Sequence, residues 1–110
     1  VLSGVADLGE VDGEAVRELG DRVKSLSKDL AVVLLGRAEG RVPFLIACEG
    51  AALSKGLKAG ELAKLAARHL GGGGGGRPNL AQGQGLDSKA APAAVAALES
   101  ALSAALAGVN

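Results

Sequence analysis

The sequence predicts an α/β fold: a single domain with an open mixed β-sheet, helices packed on it, and a glycine-rich loop after the second helix. Three observations carry this expectation. Apolar residues recur at helical spacing in three segments, short apolar runs of strand length lie between them, and six consecutive glycines follow the second helical segment. A length of 110 residues suits one core of modest size, and 48% apolar residues supply it. With one Phe and no Trp or Tyr, that core must be built from Val, Leu, Ile and Ala.

Residues 1–8, VLSGVADL, are apolar with small breaks and stop at Gly9, which predicts a strand. Asp12 is placed to cap a helix whose apolar face is Val16, Leu19, Val23 and Leu26. Glu14, Glu18 and Arg22 fall off that face, with Glu18 four residues before Arg22. The continuous apolar run LAVVLL, residues 30–35, suits a strand buried on both faces. GRAEG, residues 36–40, is turn material, and VPFLIAC, residues 42–48, completes a hairpin. Pro43 has no N–H to donate, so it belongs near the strand start or on an edge. From Lys58 to Leu70, the residues Leu62, Leu65, Ala66 and His69 or Leu70 mark a second helix, with Glu61, Lys64 and Arg68 outward. Gly71 stands where a C-cap glycine belongs, and Arg68 and His69 complement the negative end of the helix dipole. A short strand is expected over 79–82. A third helix is expected over 92–106, with Pro92 in its first turn and Val95, Leu98, Leu102 and Leu106 on one face. The first two strands are joined through a helix, a connection that favours parallel neighbours.

The net charge is zero, but unevenly distributed. Residues 1–40 carry five Lys or Arg against eight Asp or Glu, whereas residues 41–78 carry six against two. A cationic middle around the glycines points to an anionic partner. The scarcity of aromatics argues against base stacking on aromatic side chains, the usual grip on single-stranded nucleic acid. No stretch approaches the roughly 20 apolar residues needed to cross a bilayer, so no membrane partner is expected. The lone Cys48 forms no internal disulfide framework and fits a reducing compartment, with the cytoplasm expected and an organelle matrix as the alternative. The absence of Met, with Val1 first, leads to the expectation of a segment from a longer polypeptide.

The glycines alone leave several readings open. They suit a flexible linker. They match the dinucleotide-binding GxGxxG pattern only trivially, and they follow a helix where that motif follows a strand. A Walker loop would need Lys and then Ser or Thr where Arg77 and Pro78 stand. His69 has no Cys or Asp partner at ligand spacing, so no metal site is expected. Cys48 reads as a small buried apolar residue, and Asp87, Ser88 and Lys89 read as turn and helix-entry residues. No nucleophile is paired with a base, so no catalytic residue is assigned. Lys55, Lys58, Lys64, Arg68 and Arg77 remain, clustered around backbone without side chains. Exposed glycine N–H groups admit a phosphate closely, and Lys or Arg supplies the counter-charge. Each of these side chains equally suits a solvated helix face.

The order KGLKAGELAKLAARHLGGGGGGRPNLAQGQG resembles the C-terminal signature of alanyl-tRNA synthetases: a Lys-Ala-Gly helix, a glycine run, Arg-Pro and Ala-Gln. This is the DHHA1 family, shared with DHH-type phosphoesterases, and the resemblance covers nearly the whole chain. The phosphoesterase branch typically has His after its glycines. This chain has Arg77-Pro78 and Ala81-Gln82, the synthetase pattern, and departs from it in having Asn79 where Asp is expected and Gly83-Gln84-Gly85 where small residues run together.

The resemblance implies a C-terminal, non-catalytic RNA-binding domain spanning residues 1–110 of a longer alanine–tRNA ligase. Its partners would be alanine tRNA, gripped at the elbow, and the other domains of the synthetase. The ATP and Mg used by the parent enzyme, and its expected Zn, would bind N-terminal to this segment, which itself takes no cofactor. Expected RNA contacts are Lys55, Lys58, Lys64, Arg68 and Arg77, with Gly73, Gly74, Gly75 and Gly76 permitting close approach and Asn79 and Gln82 hydrogen-bonding ribose or base edges. The alternative for Arg77 and Gln82 is to pin the glycine loop to the sheet. The helical hairpin that often dimerises this family is not visible, so an isolated monomer is expected. Two other functions remain open: a protein-interaction or dimer-organising module with little RNA affinity, and the substrate-binding lobe of a phosphoesterase.

Overall fold

The computed structural model describes residues 2–107. In chain order the elements are β1 (Leu2–Asp7), α1 (Gly13–Lys24), β2 (Leu30–Leu35), β3 (Val42–Glu49), α2 (Ala51–Ser54), α3 (Ala59–Leu70), β4 (Gly73–Gly76), β5 (Leu80–Gly85) and α4 (Ala91–Ala107), with a 3-10 turn at Ser88–Ala90 before α4. The strands form one sheet in the order β1-β2-β3-β5-β4. β1 runs parallel to β2, as its helical connection favours, and every other pair is antiparallel.

The two most apolar runs, β2 and β3, lie side by side near the middle of the sheet, where both faces are covered. Alternation sends Ala31, Val33, Leu35, Val42, Phe44, Ile46 and Cys48 to the face packed by α3 and α4. Leu30, Val32, Leu34, Leu45 and Ala47 face the opposite way, toward Val16 of α1. The turn between them places Glu39 at φ 54° and Gly40 at φ 78°, matching the twist of a two-residue hairpin. Pro43 is the second residue of β3, and its carbonyl accepts from the Gly36 N–H at 2.8 Å.

Asp12 caps α1 as its position predicts, accepting from the Ala15 N–H at 2.9 Å. Leu26 departs from the expected apolar face. α1 ends at Lys24, so Leu26 lies beyond the helix and is 74% exposed. In α3 it is Leu70, not His69, that enters the core. Gly71 ends the helix at φ 71°, its N–H donating to the Ala67 carbonyl at 2.8 Å. The one-turn helix α2 is not evident in the sequence pattern. Val1, part of the expected first strand, lies outside the described residues.

The glycine segment read as a loop is largely strand. After a turn at Gly71 and Gly72, β4 runs back beneath α3 as the edge of the sheet. The four residues of β4 reach about 13 Å, most of the roughly 18 Å length of a 12-residue helix. The return ends where α3 began: the Ala59 N–H donates to the Pro78 carbonyl at 2.7 Å, and a Cβ on Gly60 would sit 3.0 Å from the Gly76 carbonyl oxygen. A side chain at position 60 would hold helix and strand apart, so glycine there permits the contact.

Candidate nucleic-acid interface

The α3–β4 unit brings several of the expected contacts together. Lys58 precedes the first turn of α3, and Lys64 and Arg68 project from its outward side at i and i+4. All three line an open groove of about 510 Å³ bounded by Gly56, Leu65 and Ala101 of α4. Around the side of α3, Lys58 and Lys64 meet Gly75, Gly76 and Pro78 in a second hollow of about 180 Å³. Glu61 lines both hollows, so the cations do not stand unopposed. Lys55 ends α2, one residue before the groove-lining Gly56, and does not line the groove itself.

Arg77 and Asn79 flank the tight turn from β4 to β5. Backbone groups hold this turn: the Arg77 N–H donates to the Leu80 carbonyl at 2.9 Å and the Cys48 N–H to the Asn79 carbonyl at 3.0 Å. Among the described residues, the side chains of Arg77 and Gln82 form no hydrogen bond or ion pair that would pin the glycines. The pinning is done by the peptide backbone.

Gln82 is separated from the cations. It lies opposite Leu45, whose side chain meets α1, so Gln82 projects from the face of the sheet away from α3. Gln84, two residues on, shares that face; the alternation in LAQGQG signals as much once the strand is known.

The edge strand itself has two sides of different character. A Cβ on Gly74 would lie 2.6 Å from Cζ of Phe44, and one on Gly83, its register partner, 2.5 Å from the same atom. A Cβ on Gly73 or Gly75 would meet nothing within 4 Å. Gly74 therefore serves packing, whereas Gly73 and Gly75 leave bare backbone open to solvent.

No set of three or more His, Cys, Asp or Glu side chains among the described residues is arranged to hold a metal ion. Cys48 is buried at the far end of β3, and burial pushes its thiol from the ordinary value of 9.0 to about 11, which suppresses the nucleophilic thiolate. No helix among the described residues is long and apolar enough to cross a membrane.

Comparison with known proteins identifies the family and the fold. The family model described as "DHHA1 domain" matches residues 4–104. The chain is 46% identical over 85 residues to an alanine–tRNA ligase of Lactobacillus acidophilus, covering 76% of this chain and 10% of that protein. It is 42% identical over 98 residues to the alanine–tRNA ligase of Acidothermus cellulolyticus, covering 88% of this chain and 11% of that protein. The chain thus spans about a tenth of the length of these relatives. The crystal structure of the C-Ala domain from Aquifex aeolicus alanyl-tRNA synthetase superposes with a TM-score of 0.78 at 32% identity, covering 92% of this chain and 90% of that one.

Proposed function

The chain belongs to the DHHA1 family, as a C-Ala domain of the alanyl-tRNA synthetase kind, and we propose from this that residues 1–110 are the C-terminal tRNA-binding domain of a longer alanine–tRNA ligase. One observation carries the reading: Lys58 and Lys64 converge with bare Gly75 and Gly76 on the rim of a sheet, where a phosphodiester can approach peptide and ammonium groups together. Lys55, Arg68, Arg77 and Asn79 extend this surface along α3 and the β4–β5 turn. The partner is alanine tRNA held at its elbow, so that its acceptor end stays within reach of aminoacylation and editing sites elsewhere in the parent. The domain supplies no catalytic group; ATP, Mg and Zn belong to the rest of the parent enzyme. It acts as a monomeric unit in the cytoplasm.

Replacing Lys58, Lys64, Arg68 and Arg77 by Gln tests this. Each lost phosphate contact lowers the salt slope of tRNA binding by about one. An unchanged slope with folded protein would contradict the assignment.

A second reading, a module that organises the parent enzyme, is favoured by the opposite edge of the molecule. There β1 is flanked by an apolar cleft of about 280 Å³ that includes Leu2, Val23 and the exposed Leu26. An uncovered edge strand beside exposed leucines suits contact with protein.

A further inference from the structure

We propose that the uncovered face of β5 and β4 is a second RNA-contacting surface, which receives base and ribose edges on Gln82, Gln84 and the bare backbone of Gly73 and Gly75, with Arg17 of α1 holding an adjacent phosphate. The proposal rests on the reading of the chain as a tRNA-binding domain, and it assigns to that RNA the opposite face of the sheet edge, which adjoins the lysines of α3 only at Gly75.

The face exists because the sheet is covered unequally. α3 and α4 pack on one side, and α3 reaches as far as β4. On the other side α1 covers β2 and β3, with Val16 buried among their side chains and Gly20 so close to Leu45 that a Cβ would lie 2.9 Å from its methyl groups. β5 and β4 extend beyond this helix. Gln82 and Gln84 are both exposed there, opposite Gly75 and Gly73 in register. The two amides therefore stand beside open backbone: a methyl group added to either glycine would meet nothing within 4 Å.

The chemistry of this floor selects its occupant. Its strand residues Leu80, Gln82 and Gln84 are uncharged, so the floor itself does not attract phosphate as the α3 side does. A protein partner would favour apolar or aromatic anchors, and the floor offers only the half-buried Leu80. Each Gln amide offers two N–H donors and a carbonyl acceptor, which match the mixed donors and acceptors of base edges and the ribose hydroxyl. With no tall side chain on β4, a nucleotide can approach the strand to backbone distance.

A cation borders the floor where the phosphate of such a nucleotide would need one. Gly13, Arg17, Gly20 and Lys24 form the stripe of α1 that borders β3 on its β5 side: a Cβ on Gly13 would lie 3.6 Å from the Pro43 Cβ and 3.7 Å from Nη1 of Arg17. Pro43 pairs with Gln84, so the turn of α1 that carries Gly13, with Arg17 one turn on, lies beside the residue that Gln84 faces. Lys24 is engaged with Glu49 at 3.7 Å, whereas Arg17 forms no ion pair among the described residues.

The test compares the 110-residue wild-type chain with three variants, Q82A/Q84A, Gly73→Val and Arg17→Gln, for affinity toward an alanine tRNA transcript across a salt series. Thermal melts accompany each measurement, and all substituted positions are exposed. Q82A/Q84A is expected to weaken binding about tenfold without changing the salt slope, because neutral hydrogen bonds release no counterions. Gly73→Val is expected to weaken it by at least as much by blocking close approach. Arg17→Gln is expected to lower the slope by about one. Wild-type binding that survives all three variants within about twofold would overturn the proposal and leave tRNA binding standing on the α3 surface. Failure of the folded wild type to bind at low salt would overturn both.

Discussion

At Gly74 a methyl group would lie 2.6 Å from a ring carbon of Phe44, in a core whose only aromatic residue is that Phe. Gly74→Ala must displace the ring or the strand, at a cost of about 1–3 kcal/mol, lowering the melting temperature by roughly 5–15 °C. Gly75→Ala, one residue away, should leave it within about 2 °C, since its methyl meets no neighbour. Parallel melts of the two variants check this. Cys48 provides a pH-dependent test. Its thiol is raised to about 11 in the folded chain from the ordinary 9.0, so between those values the unfolded chain holds fewer protons than the folded one. The associated stability is fully present below about pH 9 and is lost as pH rises toward about 11. Denaturant titrations at about pH 8 and about pH 10.5 should show a fall at the higher pH that is absent in Cys48→Ala.

Among the elements, α3 has two separable duties. Its inner face buries Leu62, Ala63, Ala66 and Leu70, while Lys64 and Arg68 point into the groove beside α4. Lys64→Gln and Arg68→Gln should each lower the salt slope of RNA binding by about one and leave the melt unchanged. Leu98→Ala, at a fully buried position of α4, should do the reverse: it costs about 2–5 kcal/mol and leaves the RNA affinity of the folded fraction unchanged. Chemical denaturation and binding on the same samples separate the two. Most elements were legible because they bury one face and so write a period into the sequence; Val16, Leu62, Leu98 and the run LAVVLL all do this. β4 wrote none. Glycine has no side chain to alternate, and the strand is set by pairing with β5 and by α3 above it, contacts distant from any local pattern. α2 is a single turn, too short for a period to show.

Across the whole molecule, the candidate interface was legible in its charge and not in its arrangement. Lys64 and Arg68 at i and i+4 already shared a helix face in the sequence. That Gln82 projects to the other side of the sheet follows only from its register with Leu45. The cationic residues 41–78 and the acidic residues 1–40 fold into one sheet, so a neutral chain presents a positive margin along α3 and β4. A margin of this kind, without aromatic platforms, suits recognition of RNA by shape and phosphate. The most direct test is binding of the 110-residue chain to alanine tRNA at two salt concentrations, beside a minihelix that lacks the elbow. Elbow recognition through this margin predicts tighter binding to the full tRNA and a steep loss of affinity with salt. Equal binding to both RNAs, or none at low salt by the folded chain, would contradict it.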